Sequence, residues 1–246
     1  MGQLRFIYRD RIVGLIDDVL SSQAAALDAA VKAVADTLAR DGLIHVAGSG
    51  HSHMLAEEVF YRAGGIAAAQ AILDPELMLH QGAERSTLLE REEGRAARVL
   101  PSYNLSQGDV LFIASNSGRN AYPIEMALAA RDRGLTTVAI TSISHSTKSQ
   151  SRHSSGQLLY EVCDIAIDNG GDYGDAGLDI PGRNARMGPT STIAGVYILN
   201  AILAEAVALL AQQGITPDIY QSANAEDLAG GMLSILERWR HRIQHL

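Results

Sequence analysis

The hydrophobic positions of this chain change period several times, and each change marks an element. From Leu4 to Arg40 the pattern is helical, with Ile12, Ile16, Val19 and Leu20 on one stripe and Ala26, Ala30, Val34 and Leu38 on another. A break near Ser21–Ser22 predicts two helical segments, closed at Asp41–Gly42 with Gly42 as the terminating glycine. Leu43–Ala47 then reads as a short buried strand. Gly48-Ser49-Gly50-His51-Ser52 follows it as a turn, and a helix is expected from about His53 to Ala63. Ile66–Leu73 reads as a second strand. Residues 74–98 are polar and charged, with a helical part around Ser86–Arg95.

The next strand-to-helix unit is the clearest. Asp109–Ala114 is an apolar run, Ser115-Asn116-Ser117-Gly118-Arg119-Asn120 is its turn, and a helix runs on to Arg133 before Gly134. Thr136–Thr141 is a strand rich in β-branched residues. A loop to Gln157 and a last strand at Asp164–Asp168 come after it. Residues 170–188 form a Gly- and Asp-rich loop, too polar for a core. Thr190 opens a helix that is apolar on nearly all sides, which implies burial in the fold or at a subunit interface. A terminal helix over Met232–Gln244 ends the chain. Alternating strands and helices predict an α/β fold, a doubly wound and mostly parallel sheet of about five strands. The expected organisation is a helical extension over 1–41, the main domain over 42–215 and a helical tail over 216–246.

Composition narrows the class. The chain has 246 residues, 47% of them hydrophobic, and a net charge of −8. No basic run is present that would displace counterions from nucleic acid, so no nucleic-acid partner is expected. The amino terminus is interrupted by Arg5, Arg9, Asp10 and Arg11, and the apolar helix after Thr190 by Asn200 and Glu205. A signal peptide and a membrane span are therefore not expected, and the cytoplasm is the expected location. Cys163 is the sole cysteine and reads as core. No His-Glu-x-x-His motif or cysteine pair appears, so neither a metal nor a cofactor is expected.

The chemistry lies in the two serine-rich turns. Glycines after a strand let the backbone approach a ligand, and Ser49 and Ser52 add hydroxyl donors before a helix whose dipole favours negative charge. This is not a dinucleotide fingerprint, because the third glycine is replaced by His53, and it lacks the Gly-Lys-Ser/Thr ending of a P-loop. The second turn sets two hydroxyls, an amide and a glycine at a helix entry. It is a compact cradle for an anion, and in the simplest reading Ser117 or Asn120 only caps the helix.

The segments GSGHS and SNSGRNAYPIEMALAARDRGLTTVAITS resemble the paired signature of the SIS (sugar isomerase) domain family. The later DNGGDYGDAG and GPTSTIAGVYILNAILAE, with MLHQGAERSTLLEREEG, look like a subgroup with no assigned substrate, related to the phosphoheptose isomerases. The resemblance covers about Leu43–Ala211. It implies a flavodoxin-like fold and a sugar-phosphate ligand. Ser115, Asn116, Ser117 and Asn120 match positions that hold phosphate in the family, and Ser52 matches the phosphate serine of the first turn. Ser49 and His51 share that turn, and Thr190 and Ser191 open the helix from which related proteins supply further contacts.

Aldose–ketose isomerisation needs a carboxylate base and an acid. The candidates are Glu58, on the first helix, and His80 and Glu93, in the charged segment that also holds Glu84 and Glu90. Each has a plain alternative: Glu58 can pair with Arg62 four residues on, and the acidic run can be a solvated helix face. The phosphoheptose isomerase acid/base pair is not carried over. Its glutamate, ten positions beyond the turn serine, is Arg62 here, and residues 191–211 hold no histidine. The expected function is a phosphosugar-binding protein, with isomerisation as the leading reaction. The alternatives are a sugar-phosphate lyase or etherase and a non-catalytic sensor, although residues 1–40 are too short for a DNA-binding domain. The apolar helices predict a homo-oligomer, a dimer or a tetramer.

Overall fold

The computed structural model describes residues 3–222 and 229–246. The helical start of the chain is two helices, α1 (Gln3–Ser22) and α2 (Ala24–Ala39), and the break falls at Gln23. The reversal after α2 uses Asp41, at φ 60°, and not Gly42 as the left-handed residue. Gly42 is needed for closeness instead, since a Cβ there would lie 2.7 Å from the Thr37 methyl.

The sheet is built from β1 (Ile44–Gly48), β2 (Ala69–Ile72), β3 (Val110–Ala114), β4 (Thr136–Thr141) and β5 (Ile165–Asp168). All four pairings are parallel, in the order β2-β1-β3-β4-β5. Parallel strands covered on both faces carry continuous apolar runs. The VLFIA run of β3 shows this: Val110 and Phe112 point into one core, Leu111 and Ile113 into the other. Chain order reverses between β1 and β3, and in such sheets ligands sit beyond the carboxyl ends of the strands at that crevice.

Between β1 and β3 run α3 (His53–Val59), α4 (Ala83–Leu89) and α5 (Arg95–Val99). α3 ends four residues before the expected Ala63, because Phe60 is extended and Tyr61 has φ 45°. β2 starts later than Ile66, which forms an antiparallel bridge to Ile219. The single helix expected near Ser86–Arg95 is two, parted by a turn over 90–94 that ends at Gly94, whose φ is 82°. After β3 come α6 (Ala121–Asp132), the single turns α7 (Ile143–Ser146) and α8 (Leu159–Val162), and a small hairpin of β6 (Leu178–Asp179) and β7 (Arg186–Met187) in the glycine-rich loop.

The long helix α9 (Ser191–Gln212) is apolar enough by composition to cross a bilayer, and it packs against α1, α2 and α3. α1 and α2 share its core with the sheet through Leu15, Val19, Ala30 and Val34. The last helix, α10 (Ala229–Trp239), stops short of Gln244; Trp239 and Ile243 enter the same core. Part of the predicted tail, 223–228, and residues 1–2 of the predicted extension lie outside the described residues.

Candidate anion-binding site

Both serine-rich turns stand at the carboxyl end of the sheet, one after β1 and one after β3. The second is held from behind. The Asn116 carbonyl accepts from Ser142 N (3.0 Å), the Ser117 carbonyl from Ser146 Oγ (2.9 Å) and the Gly118 carbonyl from Leu159 N (2.8 Å). With the carbonyls tied down, no acceptor among the described residues meets the amides of Asn116 and Ser117. Gly118 sits at φ 59°, and a Cβ on it would be 2.9 Å from the hydroxyls of Ser146 and Thr141. The turn therefore requires glycine both for its conformation and for its space.

The first turn is equally confined. A Cβ on Gly48 would lie 2.5 Å from the Ser52 carbonyl oxygen and 2.6 Å from its carbon. Those are backbone atoms and cannot yield as a flexible side chain would. Gly48→Ala is therefore expected to destabilise the fold by about 2 kcal/mol or more and to blunt any ligand-induced rise in melting temperature. Thermal melts with and without ligand measure both; an unchanged melt and response would show that the turn is not constrained at this residue.

Ser52, Ser115, Asn116, Asn169, Ser191 and Thr192 line one cleft between the turns and the start of α9. Ser115 is buried, and its hydroxyl accepts from Gly118 N (3.3 Å). Asn116 accepts from Asn169 Nδ2 (3.0 Å). Ser117, half-buried, stands in the same turn. Thr190 and Ser191 are already engaged: Asp175 takes the amides of both (2.9 Å each) and the hydroxyls of Ser191 (2.6 Å) and Thr190 (3.3 Å). A carboxylate of the chain thus occupies the donors that were expected to face a phosphate.

The central carboxylate is Glu90. It closes the end of α4, and its carbonyl accepts from Tyr122 N at the start of α6 (3.1 Å). One carboxylate oxygen accepts from Ser49 Oγ of the first turn (2.7 Å), the other from Asn120 Nδ2 of the second (2.6 Å). Arg152 Nη1 donates to Asn120 Oδ1 (2.8 Å), which fixes the amide with its NH2 toward Glu90. Burial raises the Glu90 carboxyl above its ordinary value, against the lowering effect of the Ser49 hydrogen bond. A carboxylate so placed can exchange a proton with a molecule held between the turns.

The three expected catalytic residues lie elsewhere. Glu58 pairs with Arg62 and accepts from Asn200 Nδ2 (3.0 Å), as its spacing allowed. Glu93 is exposed and accepts from the amide (2.6 Å) and hydroxyl (3.0 Å) of Ser154, whose backbone bond chiefly lowers its pKa. It fastens one loop to another. His80 is exposed in a second groove at the first turn, shared with His51, His53 and Glu57. His53 is buried there, its pKa lowered by that burial, and its Nε2 has no partner. Cys163 is partly buried against the core on one face of the sheet, and burial pushes its thiol up to about 12. Glu93, Glu125 and His153 bring ligand atoms within 4.8 Å of one another, but Glu125 accepts the amide of Ala96 (3.2 Å) and Glu93 those bonds of Ser154. Both are spent on loop and helix ends.

In the sequence Glu90 is one carboxylate of the charged segment, named with His80, Glu84 and Glu93 but not singled out, and nothing points to Arg152 or Asp175. Glu90 stood in a charged run that fits a solvated face equally well, and its partners lie 41 and 30 residues away. Arg152 and Asp175 sit in loops without periodicity, so no local signal points to them.

The model of the SIS domain matches residues 7–142. A UPF0309 protein of Geobacillus kaustophilus is 43% identical over 236 residues, covering 96% of this chain and 94% of its own. Among solved structures, the phosphoheptose isomerase GmhA of Neisseria gonorrhoeae superposes with a TM-score of 0.54 at 19% identity, over 85% of this chain and 100% of that one. The Vibrio vulnificus NanR protein, complexed with ManNAc-6P, superposes with a TM-score of 0.50 at 16% identity, over 98% and 70%. With residues 7–142 matched by that model and a relative 43% identical over most of the chain, the chain belongs to the SIS domain family.

Proposed function

We propose that this protein binds a phosphorylated sugar between its two turns and interconverts its aldose and ketose forms, with Glu90 moving the proton. The observation that carries this reading is the Glu90 carboxylate held between Ser49 and Asn120, one residue from each turn. The phosphate is received by Ser52, Ser115, Asn116 and Ser117, through hydroxyls and the free amides of the second turn. Neutral donors fix such a group at one end and so orient the rest of the sugar. Glu90 then takes the proton from the carbon next to the carbonyl, and the C–H electron pair forms a C=C bond as the carbonyl pair moves onto its oxygen. A proton passes from the neighbouring hydroxyl to that oxygen, and the same carboxyl returns its proton to the former carbonyl carbon as the other C=O forms. The bound sugar phosphate of the NanR structure and the isomerase fold of GmhA support the ligand class. Exposed apolar side chains on α1 (Phe6, Ile7 and Val13) and on α9 (Ile193) support a homo-oligomer.

Melting temperature against a panel of sugar phosphates and their unphosphorylated parents, in phosphate-free buffer, tests the binding. Stabilisation by phosphorylated sugars alone is expected; none at millimolar concentration sinks the reading. The sugar that stabilises is then incubated in D2O, where isomerisation places deuterium on the carbon next to the carbonyl. Binding with neither deuterium exchange nor aldose–ketose conversion leaves a phosphosugar sensor in place of an isomerase.

A further inference from the structure

Three guanidinium groups gather beside the second turn. Arg119 belongs to the turn, and Arg152 is laid over it, its amide donating to the Arg119 carbonyl (2.7 Å) and its Nη1 to Asn120 (2.8 Å). Arg91 follows Glu90 at the end of α4. Among the described residues none of the three pairs with a carboxylate, in a chain whose net charge is −8. The Nε of Arg119 is buried without an acceptor. Burial, then the charges of Arg119 and Arg91, hold the Arg152 guanidinium below its ordinary value, and burial and Arg119 do the same to His145. Glu90 is the carboxylate that acts on Arg152, and it is already shared by Ser49 and Asn120. Like charges crowded together with an unmet buried donor leave a place that an anion would stabilise.

The neutral donors of Ser52, Ser115 and Asn116 form a separate set in the cleft, so the structure offers two anion-holding groups beside the two turns that Glu90 bridges. We infer that the sugar phosphate this protein takes carries a second anionic group, a carboxylate or another phosphate, and that Arg119, Arg152 and Arg91 receive it. The inference rests on the phosphosugar reading and narrows it. Guanidinium groups suit this role because their paired N–H donors match the oxygens of either group.

Two matched pairs of ligands test it, measured by calorimetry on the full chain. One pair is sorbitol 6-phosphate and 6-phosphogluconate, which differ by an alcohol or a carboxylate at one carbon; the other is fructose 6-phosphate and fructose 1,6-bisphosphate. At least one doubly anionic ligand is expected to bind about tenfold tighter than its partner, and Arg152→Gln and Arg119→Gln to bring that ratio near one. Arg91→Gln, at an exposed position, gives the same reading if either of the others fails to fold. Equal affinities within both pairs overturn the inference while leaving the phosphosugar reading intact. A substitution that weakens both members of a pair by one factor also overturns it, because the arginines then serve the shared phosphate. Absence of binding by every ligand overturns both readings.

Discussion

Glu90→Gln is expected to lower the isomerisation rate by about a thousandfold while sugar-phosphate binding survives, the loss typical of removing a positioned acid or base. The replacement is close to isosteric. Its amide oxygen can still accept from Asn120, and its NH2 can donate to Ser49, whose hydroxyl reverses its role. A fall in affinity with the turnover unchanged would show that Glu90 positions the ligand and does no chemistry. The pH profile adds a second reading. In the proposed mechanism the base works ionised, so the rate is expected to rise with pH through a midpoint displaced upward from the ordinary carboxyl value, the direction in which burial moves Glu90.

The same shift has a consequence for stability. Glu90 takes up a proton more readily folded than unfolded, so its contribution to stability is fully present below the unfolded carboxyl value and is lost as pH rises through the folded value. Glu90→Gln removes that loss, and the variant is expected to melt higher than the parent at neutral pH while working far more slowly. Melting temperatures of the two proteins at acidic and neutral pH should diverge as pH increases. Parallel curves would show that the carboxyl is not held up by burial.

Arg95→Met is expected to destabilise the protein by about 3–5 kcal/mol, which in a chain of this size is roughly 10 °C of melting temperature. Arg95 and Asp74 are only 5% and 4% exposed. The guanidinium donates Nε and Nη2 to the two oxygens of Asp74 at 2.5 and 2.9 Å, and Nη2 also reaches Glu76 (2.9 Å). Removing the cation leaves a buried carboxylate with only the Glu76 amide to answer it. Asp74 follows β2 and Arg95 opens α5, so the pair fastens the segment that carries Glu90 to the edge of the sheet. The double variant Arg95→Met, Asp74→Leu is expected to lose less than the single one, because no charge is then stranded. A single variant melting within 2 °C of the parent, on the order of 1 kcal/mol or less, would contradict the account.

The five strands were legible because buried parallel strands are short apolar runs, and LIHVA, VLFIA and TTVAIT have no other ready use. The break expected near Ser21–Ser22, found one residue on at Gln23, and the two turns were legible from local composition. Element ends were not. Tyr61 at φ 45° and Asp41 at φ 60° are ordinary residues in a conformation that glycine prefers, so composition gave no warning of either reversal. The site divides along the same line. Serines following a strand announce themselves, whereas Glu90 is defined by Ser49 and Asn120 approaching from distant parts of the chain. Its neighbour Glu93, of identical type and three residues on, faces solvent and a serine of another loop. Periodicity cannot choose between them, because α4 ends at Leu89 and both lie in the turn before α5.

Asp175 gives the start of α9 an occupant before any ligand arrives. An outside anion that uses Thr190 and Ser191 must first evict this carboxylate, so it gains only the difference between two similar sets of hydrogen bonds. The tether keeps the incumbent at high local concentration, which sets a threshold that dilute inorganic phosphate would fail to cross. A sugar phosphate that also engages the second turn crosses it with contacts the incumbent does not have. Discrimination between whole substrate and bare phosphate can therefore come from a competitor carried within the chain itself.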